Sequence, residues 1–261
     1  MVSSRQLLLV EEENLMTVQV GLTGNGGIVL ASDRRLTAGD VKIGEDLVGY
    51  AAYTGKLETK IQLSQEKNIA ISCADDFTFA RKTAKQIIAE LNTCDLTDEY
   101  RACSAVERII KEASSDGGGK AQWLIALKCP DWKLLKCLSV PRESANSDGE
   151  WDVSCAPCPG WDFAGEITNP AIFWHKFHNE DMSPKQLVPL AANLILSAHF
   201  FNSKNVDGLD IAQCDANGVR LLSSTSIAAL EKKSRLLDRK IIESLFADDI
   251  EYTYAPQKAE A

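Results

Sequence analysis

Residues 17–37 of the chain read TVQVGLTGNGGIVLASDRRLT, and this stretch decides the predicted fold. Two apolar runs, 17–23 and 27–33, are rich in valine, isoleucine and leucine, which is typical of β-strands. The linker Gly24–Gly27 between them contains three glycines, which reach positive φ at no steric cost. The segment therefore predicts a β-hairpin, which ends in an acidic residue and two arginines.

The rest of the chain alternates between runs of strands and runs of helices. Apolar runs predict strands at 46–53, 68–74, 121–129, 132–140, 151–156, 210–215 and 219–224. Apolar residues at helical spacing predict helices at 77–91, at 102–110, after Gly160, from Ser183 onward and at 227–247. With strands in the middle and helix pairs outside, this order favours a four-layer single domain.

The composition is that of an ordinary globular protein, with 45% hydrophobic residues, 25% charged residues and a formal net charge of −9. Because the sequence contains neither a long apolar run nor a signal-peptide core, we expect a cytoplasmic protein without a membrane span. The acidic balance and the lack of a basic run argue against nucleic-acid binding.

The eight cysteines are scattered through regular segments, which predicts reduced thiols rather than a disulfide framework. Cys155 and Cys158 form a single Cys-x-x-Cys pair. A zinc site would need two more ligands at matching spacing, and the three histidines lie elsewhere in the sequence. We therefore expect no metal site.

The hairpin resembles the start of mature β-type proteasome subunits and their bacterial relatives, within the N-terminal-nucleophile hydrolase superfamily. The residues that carry the resemblance are Thr17, Val20–Gly21, Gly27–Ala31, Asp33 and Arg35. The offset of 16 between the threonine and the aspartate fits the family pattern without a gap. Since the element order continues to match over residues 17–250, the chain is expected to be a divergent member of this family.

The resemblance implies an α+β fold, a four-layer αββα sandwich, formed as a single domain by residues 17–250. Residues 1–16 are expected to be a propeptide or an upstream segment, and residues 251–261 a flexible tail. Self-cleaving precursors of the family usually carry glycine before the threonine, whereas this chain has Met16. Thr17 would be exposed either by self-cleavage after Met16 or by translation from Met16 and removal of that methionine.

By resemblance, Thr17 is the catalytic nucleophile and Asp33 the partner of a catalytic lysine. A threonine hydroxyl is a weak nucleophile that needs a base. If Thr17 is the first residue of the mature chain, its own α-amine, with a reference pKa near 8, can serve directly or through water. A nearby lysine would keep the local potential positive.

The lysine is implied by its context just before a short strand. Lys60 matches that context best, provided that residues 41–55 form an inserted, extended hairpin. Lys42 and Lys56 are the competing candidates.

Three departures from the family pattern concern the supporting residues. Cys158 stands where the family has a serine that supports the threonine, and prolines flank it. The later Asp-x-x-Ser-Gly motif aligns with a segment in which Asp207 precedes the single matching glycine. The glycine that normally donates to the oxyanion is missing, so the donor is expected among the backbone N–H groups of Ser72–Asp75. Arg35 completes the set of supporting residues.

The resemblance therefore implies a threonine-type peptidase that cleaves peptides or unfolded proteins without a cofactor or metal. It also implies a ring-forming homo-oligomer or a place in a larger proteasome-like complex, with no nucleic-acid or membrane partner. The degenerate supporting positions leave a second function open, that of a catalytically inactive subunit acting in assembly or interaction. A third is an amidase on the same fold, because a fold alone does not set the substrate.

Overall fold

The computed structural model describes residues 17–36, 42–43, 46–47, 57–64, 66, 68–94, 96, 98–142, 150–165, 176–201, 203 and 206–245. The expected propeptide (1–16), the expected tail (251–261) and most of the expected insertion (41–55) lie outside the described residues, as does Lys56. Within the insertion, two short antiparallel strands are described, β3 (Lys42–Ile43) and β4 (Asp46–Leu47).

The first of two larger sheets, sheet 1, contains the predicted hairpin. Its strands are β1 (Val18–Gly24), β2 (Gly27–Ser32), β10 (Trp161–Gly165), β11 (Asp210–Asp215) and β12 (Gly218–Leu221). They lie in the order β10-β1-β2-β11-β12, and every neighbouring pair is antiparallel. The hairpin therefore occupies the middle of the sheet, between strands that come much later in the chain.

The second sheet, sheet 2, follows the chain order. Its strands are β5 (Ile61–Ser64), β6 (Ile69–Asp75), β7 (Ala121–Cys129), β8 (Asp131–Pro141) and β9 (Trp151–Pro157). Each strand pairs with the next in antiparallel register, so that β5 and β9 form the edges of the described sheet.

Four helices are described, and the N-termini of the first two are capped by aspartate side chains. They are α1 (Phe77–Thr93), α2 (Glu99–Ser115), α3 (Pro184–Phe201) and α4 (Ser224–Leu245). The Asp76 carboxylate accepts from Phe79 N at the start of α1, and the Asp98 carboxylate accepts from Tyr100 N at the start of α2. Each cap satisfies a backbone N–H that has no partner within its helix.

Three clusters of buried apolar side chains connect these elements. One joins sheet 1 to α3 and α4, through residues such as Val20 and Leu194. A second joins sheet 2 to α1 and α2, with Trp123 among its fully buried members. A third contains side chains from both sheets, including Leu30 and Leu124. The two sheets therefore share an apolar interior, and each also packs against a helix pair.

The turn of the hairpin is wedged between two other segments. A Cβ added at Gly24 would overlap the carbonyl oxygen of Met182, and one added at Gly27 would overlap that of Cys214. Asn25 N also donates to the Met182 carbonyl at 2.9 Å. Glycine is thus needed at both ends of the turn because neighbouring backbone approaches too closely for a side chain.

The structure corrects the prediction of helices directly after Gly160, because residues 161–165 form β10. This strand pairs with β1 and buries Phe163 and Ala164 in two different apolar clusters. In this five-residue strand the two buried side chains are adjacent and lie on opposite faces, so the apolar–polar alternation by which a strand is predicted is missing. Residues 166–175, which follow it, lie outside the described residues.

The described residues form an α+β fold with two antiparallel sheets of five strands and four helices, in agreement with the predicted class. None of the helices described has both the length and the hydropathy that crossing a membrane requires.

Candidate active site

Lys60 contacts both of the other residues that the sequence predicts as catalytic, Thr17 and Asp33. Lys60 Nζ donates to Thr17 Oγ1 at 3.1 Å and lies 2.9 and 3.0 Å from the two carboxylate oxygens of Asp33. The exposed fractions are 6% for Thr17, 0% for Asp33 and 2% for Lys60. The side chain of the competing Lys42 lies outside the described residues, as does Lys56.

The hairpin explains why Asp33 lies beside Thr17. In the register of β1 and β2, Gln19 lies opposite Ser32. The next residues outward, Val18 and Asp33, therefore lie opposite each other. Val18 N donates to Asp33 Oδ1 at 3.1 Å, and Asp33 N donates to the Val18 carbonyl at the same distance. The sequence offset between threonine and aspartate is therefore the length of one hairpin.

Burial and charge act in opposite directions on the Asp33–Lys60 pair. Burial raises the pKa of Asp33, and the Lys60 charge together with the N–H groups of Val18 and Arg35 opposes that shift. Burial lowers the pKa of Lys60, and the Asp33 charge opposes that shift. Since desolvation penalises the charged forms, Lys60 is moved toward the range in which a lysine can accept a proton.

Gln19 is a site residue that was not predicted. Its side chain is fully buried on the β1 face that also carries Thr17, and its Nε2 donates to the Cys73 carbonyl in sheet 2. Cys73 N in turn donates to the Lys60 carbonyl at 3.2 Å. Gln19 therefore links the strand of Thr17 to the backbone that holds Lys60. The sequence offered one indication of this role, namely that Gln19 is a polar amide between two valines in an apolar strand.

Asp210 was also not predicted. It begins β11, opposite Ser32, and its carboxylate lies 3.5 Å from Arg34 Nε. Burial raises the pKa of Asp210, whereas the Arg34 charge, a hydrogen bond with Thr59 and the Lys60 charge oppose the shift. Asp210 therefore fixes the residue before Lys60 and adds a second carboxylate near it. The position of Asp210 near Lys60 could not be predicted from a local sequence pattern, because it depends on the pairing of β2 with β11.

Arg35 and Asp207, both predicted as supporting residues, contact each other. Arg35 Nη2 lies 2.6 Å from Asp207 Oδ2, and Arg34 N donates to the Asp207 carbonyl at 2.8 Å. Arg35 N donates to Asp33 Oδ2 at 3.1 Å. Asp207 thus supports the residues that follow β2, and within the described part of the chain it forms no hydrogen bond to Thr17.

Cys158 is not brought to the other three residues. Its N–H donates to the Leu134 carbonyl at 2.8 Å, and its thiol donates to Asp162 Oδ2 at 3.1 Å. Burial and the neighbouring Asp162 raise the pKa of Cys158 to about 12. Among the described residues it has no hydrogen bond to Thr17 or Lys60, and a thiol with this pKa carries almost no thiolate at neutral pH.

Gly165 completes the backbone around Thr17. It ends β10 opposite Val18 with φ +82°, and a Cβ added there would overlap the Thr17 carbonyl oxygen. Both the left-handed conformation and the close approach require glycine.

The strand register indicates which backbone N–H group can serve an oxyanion. Cys73 N donates toward β5, to the Lys60 carbonyl, whereas Asp76 N donates toward β7, to the Lys120 carbonyl. Because N–H groups alternate in direction along an antiparallel strand, that of Asp75 points to the same side as that of Cys73. Asp75 has a left-handed φ of 68° at the end of β6. Of the four predicted donors, Cys73 and Asp75 therefore point to the side of Lys60, and the N–H of Cys73 already donates to the Lys60 carbonyl.

Within the part of the chain that is described, no group of three histidine, cysteine, aspartate or glutamate side chains is arranged to hold a metal ion.

Comparisons with solved structures identify the fold. The chain is similar to Anbu (ancestral beta-subunit) from Yersinia bercovieri, with a TM-score of 0.65, 12% identity, and coverage of 91% of this chain and 100% of that one. It is similar to the Anbu (Gly-1) mutant from Hyphomicrobium sp. strain MC1, with a TM-score of 0.64, 16% identity, and coverage of 92% and 100%. The chain is also similar to a second Anbu structure from that strain, with a TM-score of 0.61, 15% identity, and coverage of 91% of this chain and 100% of that one.

These comparisons correct the family assignment drawn from the hairpin. No family model and no curated protein matches the chain. The similar structures named above are Anbu proteins, and identities of 12–16% show a shared fold alone. The prediction that the chain is a divergent member of the proteasome β-type family is therefore wrong. A motif of a few residues at the start of a chain is too short to define membership at this divergence.

Proposed function

We propose that the protein is a threonine-type peptidase that uses Thr17 Oγ1 as its nucleophile. The observation that carries this proposal is the 3.1 Å contact between Lys60 Nζ and Thr17 Oγ1, with the lysine held by Asp33. A nucleophile and a base within hydrogen-bond distance, with the base oriented by a third group, are what nucleophilic catalysis requires. The burial of all three residues strengthens their electrostatic interactions.

In the proposed reaction, Lys60 in its uncharged form accepts the proton of the Thr17 hydroxyl. The oxygen attacks the carbonyl carbon of the scissile peptide bond, and the backbone N–H of Asp75 faces the oxygen on which negative charge develops. The C–N bond then breaks, the departing amine takes the proton from Lys60, and an ester on Thr17 remains. Water hydrolyses that ester by the same steps in reverse order.

The proposal includes a role for the residues before Thr17. If they are removed, the α-amine of Thr17 becomes a second proton acceptor beside the hydroxyl, with a pKa suited to neutral pH. Removal by self-cleavage after Met16, or synthesis from Met16, would both produce this amine. The two routes differ in whether a longer chain is ever made.

We also propose a single domain over residues 17–250, with four layers in the order helices, sheet 1, sheet 2, helices. The three apolar clusters, one between the sheets and one under each helix pair, support this arrangement. We also propose that the chain assembles into a homo-oligomer and works in the cytoplasm; assembly is supported by its similarity to the ancestral beta-subunit Anbu from Yersinia bercovieri. Enclosure in a ring would restrict substrates to peptides and unfolded chains.

A second candidate function is that of a non-catalytic subunit. Two residues predicted to support Thr17 have other partners in the structure, Cys158 with Asp162 and Asp207 with Arg35. An inactive subunit would keep Lys60 and Asp33 because the loss of either one leaves the other charge buried and unpaired.

The two functions are separated by combining N-terminal mass analysis with a pair of variants. We expect the purified protein to begin at Thr17 and to cleave a mixture of unstructured peptides. Thr17→Ser keeps a hydroxyl and should retain part of the activity, whereas Thr17→Ala should lose all of it with an unchanged circular dichroism spectrum. A peptide β-lactone should add its mass to Thr17 and not to the alanine variant. Equal cleavage by the alanine variant, or no cleavage by a chain beginning at Thr17, would favour the non-catalytic function.

A further inference from the structure

Three cysteine side chains from three different elements meet beside sheet 2, away from the candidate active site. Cys137 of β8 and Cys155 of β9 have their Sγ atoms 3.0 Å apart. Cys103 of α2 shares a side-chain hydrogen bond with Cys155. Cys103 and Cys137 belong to the same apolar cluster, Cys155 packs against that cluster, and Cys155 is the thiol common to both contacts.

The strand register explains the close approach of Cys137 and Cys155. They lie directly opposite each other in the antiparallel pair of β8 and β9. Cys158 N donates to the Leu134 carbonyl, which marks a hydrogen-bonded pair of this ladder. Counting from it, Cys137 and Cys155 form a non-hydrogen-bonded pair, in which the Cα atoms are about 4.5 Å apart. That separation lies within the range that a disulfide spans.

We propose that Cys155 is a covalent modification site at which a hydroperoxide forms an intramolecular disulfide with Cys137 or with Cys103. The proposal does not depend on the peptidase function. Cys155 is half-buried, whereas Cys103 and Cys137 are buried, so Cys155 is the thiol that a small oxidant reaches first. Its position on the edge strand of sheet 2 leaves one side of that strand without a strand partner in the described sheet.

The reaction balances with one hydroperoxide per disulfide. The Cys155 sulfur attacks the peroxide, the O–O bond breaks, and the departing alkoxide takes the thiol proton to leave as an alcohol or, from hydrogen peroxide, as water. The resulting sulfenic acid on Cys155 is attacked by the sulfur of Cys137 or Cys103, and its S–O bond breaks with loss of water. The two thiols supply the two electrons that reduce the peroxide.

The environment of the thiols sets the rate of the first step. The hydrogen bond with Cys155, burial and the charges of Glu99 and Glu107 raise the pKa of Cys103. The hydrogen bond with Cys103 lowers the pKa of Cys155, but the contact with Cys137, burial and the Glu107 charge outweigh it and leave that pKa raised as well. Because the thiolate is the reactive form, oxidation should be slow at neutral pH and faster at higher pH. The site would therefore respond to sustained rather than brief exposure to peroxide.

The test treats the full-length protein with hydrogen peroxide and maps disulfides in unreduced tryptic digests by mass spectrometry. Cys103 lies in the peptide ACSAVER, Cys137 in CLSVPR, and Cys155 together with Cys158 in residues 143–176. We expect the third peptide to become linked to one of the first two, with loss of two free thiols per chain. The yield at a fixed time should rise from pH 7 to pH 9.

Matched variants identify the sulfur atoms involved. Cys155→Ser should abolish both linked peptides, whereas Cys158→Ser, which removes another half-buried thiol from the same peptide, should leave them unchanged. Cys137→Ser should shift the link to Cys103, and Cys103→Ser should shift it to Cys137. Circular dichroism confirms that each variant is folded, and Cys155→Ala provides a second substitution if the serine variant is not. Linked peptides persisting without Cys155, or oxidation to sulfinic acid without any link, would overturn the proposal.

Discussion

Lys60 and Asp33 are 27 residues apart in sequence and form an ion pair of 2.9 Å in which both side chains are almost completely shielded from solvent. Such a pair is sensitive to the loss of either partner, since the remaining charge keeps its desolvation cost without its compensating attraction. Its contribution to the site can therefore be measured as stability as well as activity.

Lys60→Met should destabilise the protein by about 3 kcal/mol or more, because it leaves the Asp33 carboxylate buried and unpaired. The double variant Lys60→Met/Asp33→Leu replaces both charges by apolar groups and should recover most of that loss. Urea unfolding measures both effects, and peptide cleavage should be absent from both variants. A double variant as unstable as the single one would show that the ion pair contributes to stability beyond mutual neutralisation.

The pH dependence of cleavage should follow the ionisation of Lys60. The rate is expected to rise as Lys60 loses its proton. Because the Asp33 charge raises the pKa of Lys60 against the effect of burial, Asp33→Asn lowers that pKa further. The alkaline rise in kcat/KM should then move to lower pH while the maximum rate falls. A rise that stays at the wild-type pH would mean that the proton acceptor is not coupled to Asp33.

Gly165→Ala should lower both the unfolding free energy and the cleavage activity more than the same substitution at Gly26. Gly165 and Gly26 share the same φ of +82°, but an added Cβ overlaps the Thr17 carbonyl oxygen at the first position and meets nothing within 4 Å at the second. Gly26→Ala should cost about 1 kcal/mol from its conformation alone. Gly165→Ala should cost more and should abolish cleavage. Equal unfolding energies for the two variants would show that the backbone near Thr17 gives way without strain.

Gln19→Leu should reduce cleavage by displacing the backbone around Lys60. It removes the hydrogen bond to the Cys73 carbonyl, at an expected cost of about 1–2 kcal/mol for a buried partner left unpaired. Gln62→Leu is the matched control, since Gln62 is likewise a strand glutamine, on β5 of sheet 2, and its side chain donates to a backbone carbonyl, that of Arg81. We expect kcat to fall in the first variant and not in the second. A similar fall in both would assign the loss to general destabilisation.

Acid should weaken the contact between Arg35 and Asp207. Burial alone would raise the pKa of Asp207, but hydrogen bonds from Arg35 and from Gly208 N, together with the charges of Arg35 and His199, place it below its ordinary value. A carboxylate with a lowered folded-state pKa stabilises the fold above its unfolded-state pKa and loses that contribution as pH falls through the folded-state value. The stability difference between the wild type and Asp207→Asn should therefore shrink from pH 5 to pH 3. A constant difference would mean that the contact is not electrostatic.

The sequence was most informative where function depends on one local element. The hairpin of β1 and β2 could be recognised from its apolar runs and glycine turn, and its length fixes the distance between Thr17 and Asp33. Lys60 could be chosen by its context before a strand, and the structure places it beside both residues.

Contacts between distant strands could not be predicted in the same way. Gln19 acts across the two sheets and Asp210 through the pairing of β2 with β11, and neither relation leaves a periodic pattern in the sequence. The role expected for Cys158 rested on alignment with a serine, whereas its thiol lies against Asp162. Side-chain partners of this kind are set by register and sheet packing, which a short motif does not encode.

The tight turn at Gly24 and Gly27 has a mechanical consequence for Thr17. β1 runs from the nucleophile to that turn as one continuous strand of seven residues, about 23 Å long. Because β1 is hydrogen-bonded to β10 on one side and to β2 on the other, it cannot slide along its axis without breaking both ladders. The contact of the turn with the Met182 backbone therefore fixes, from the far end of the strand, how deep in the fold the nucleophile lies.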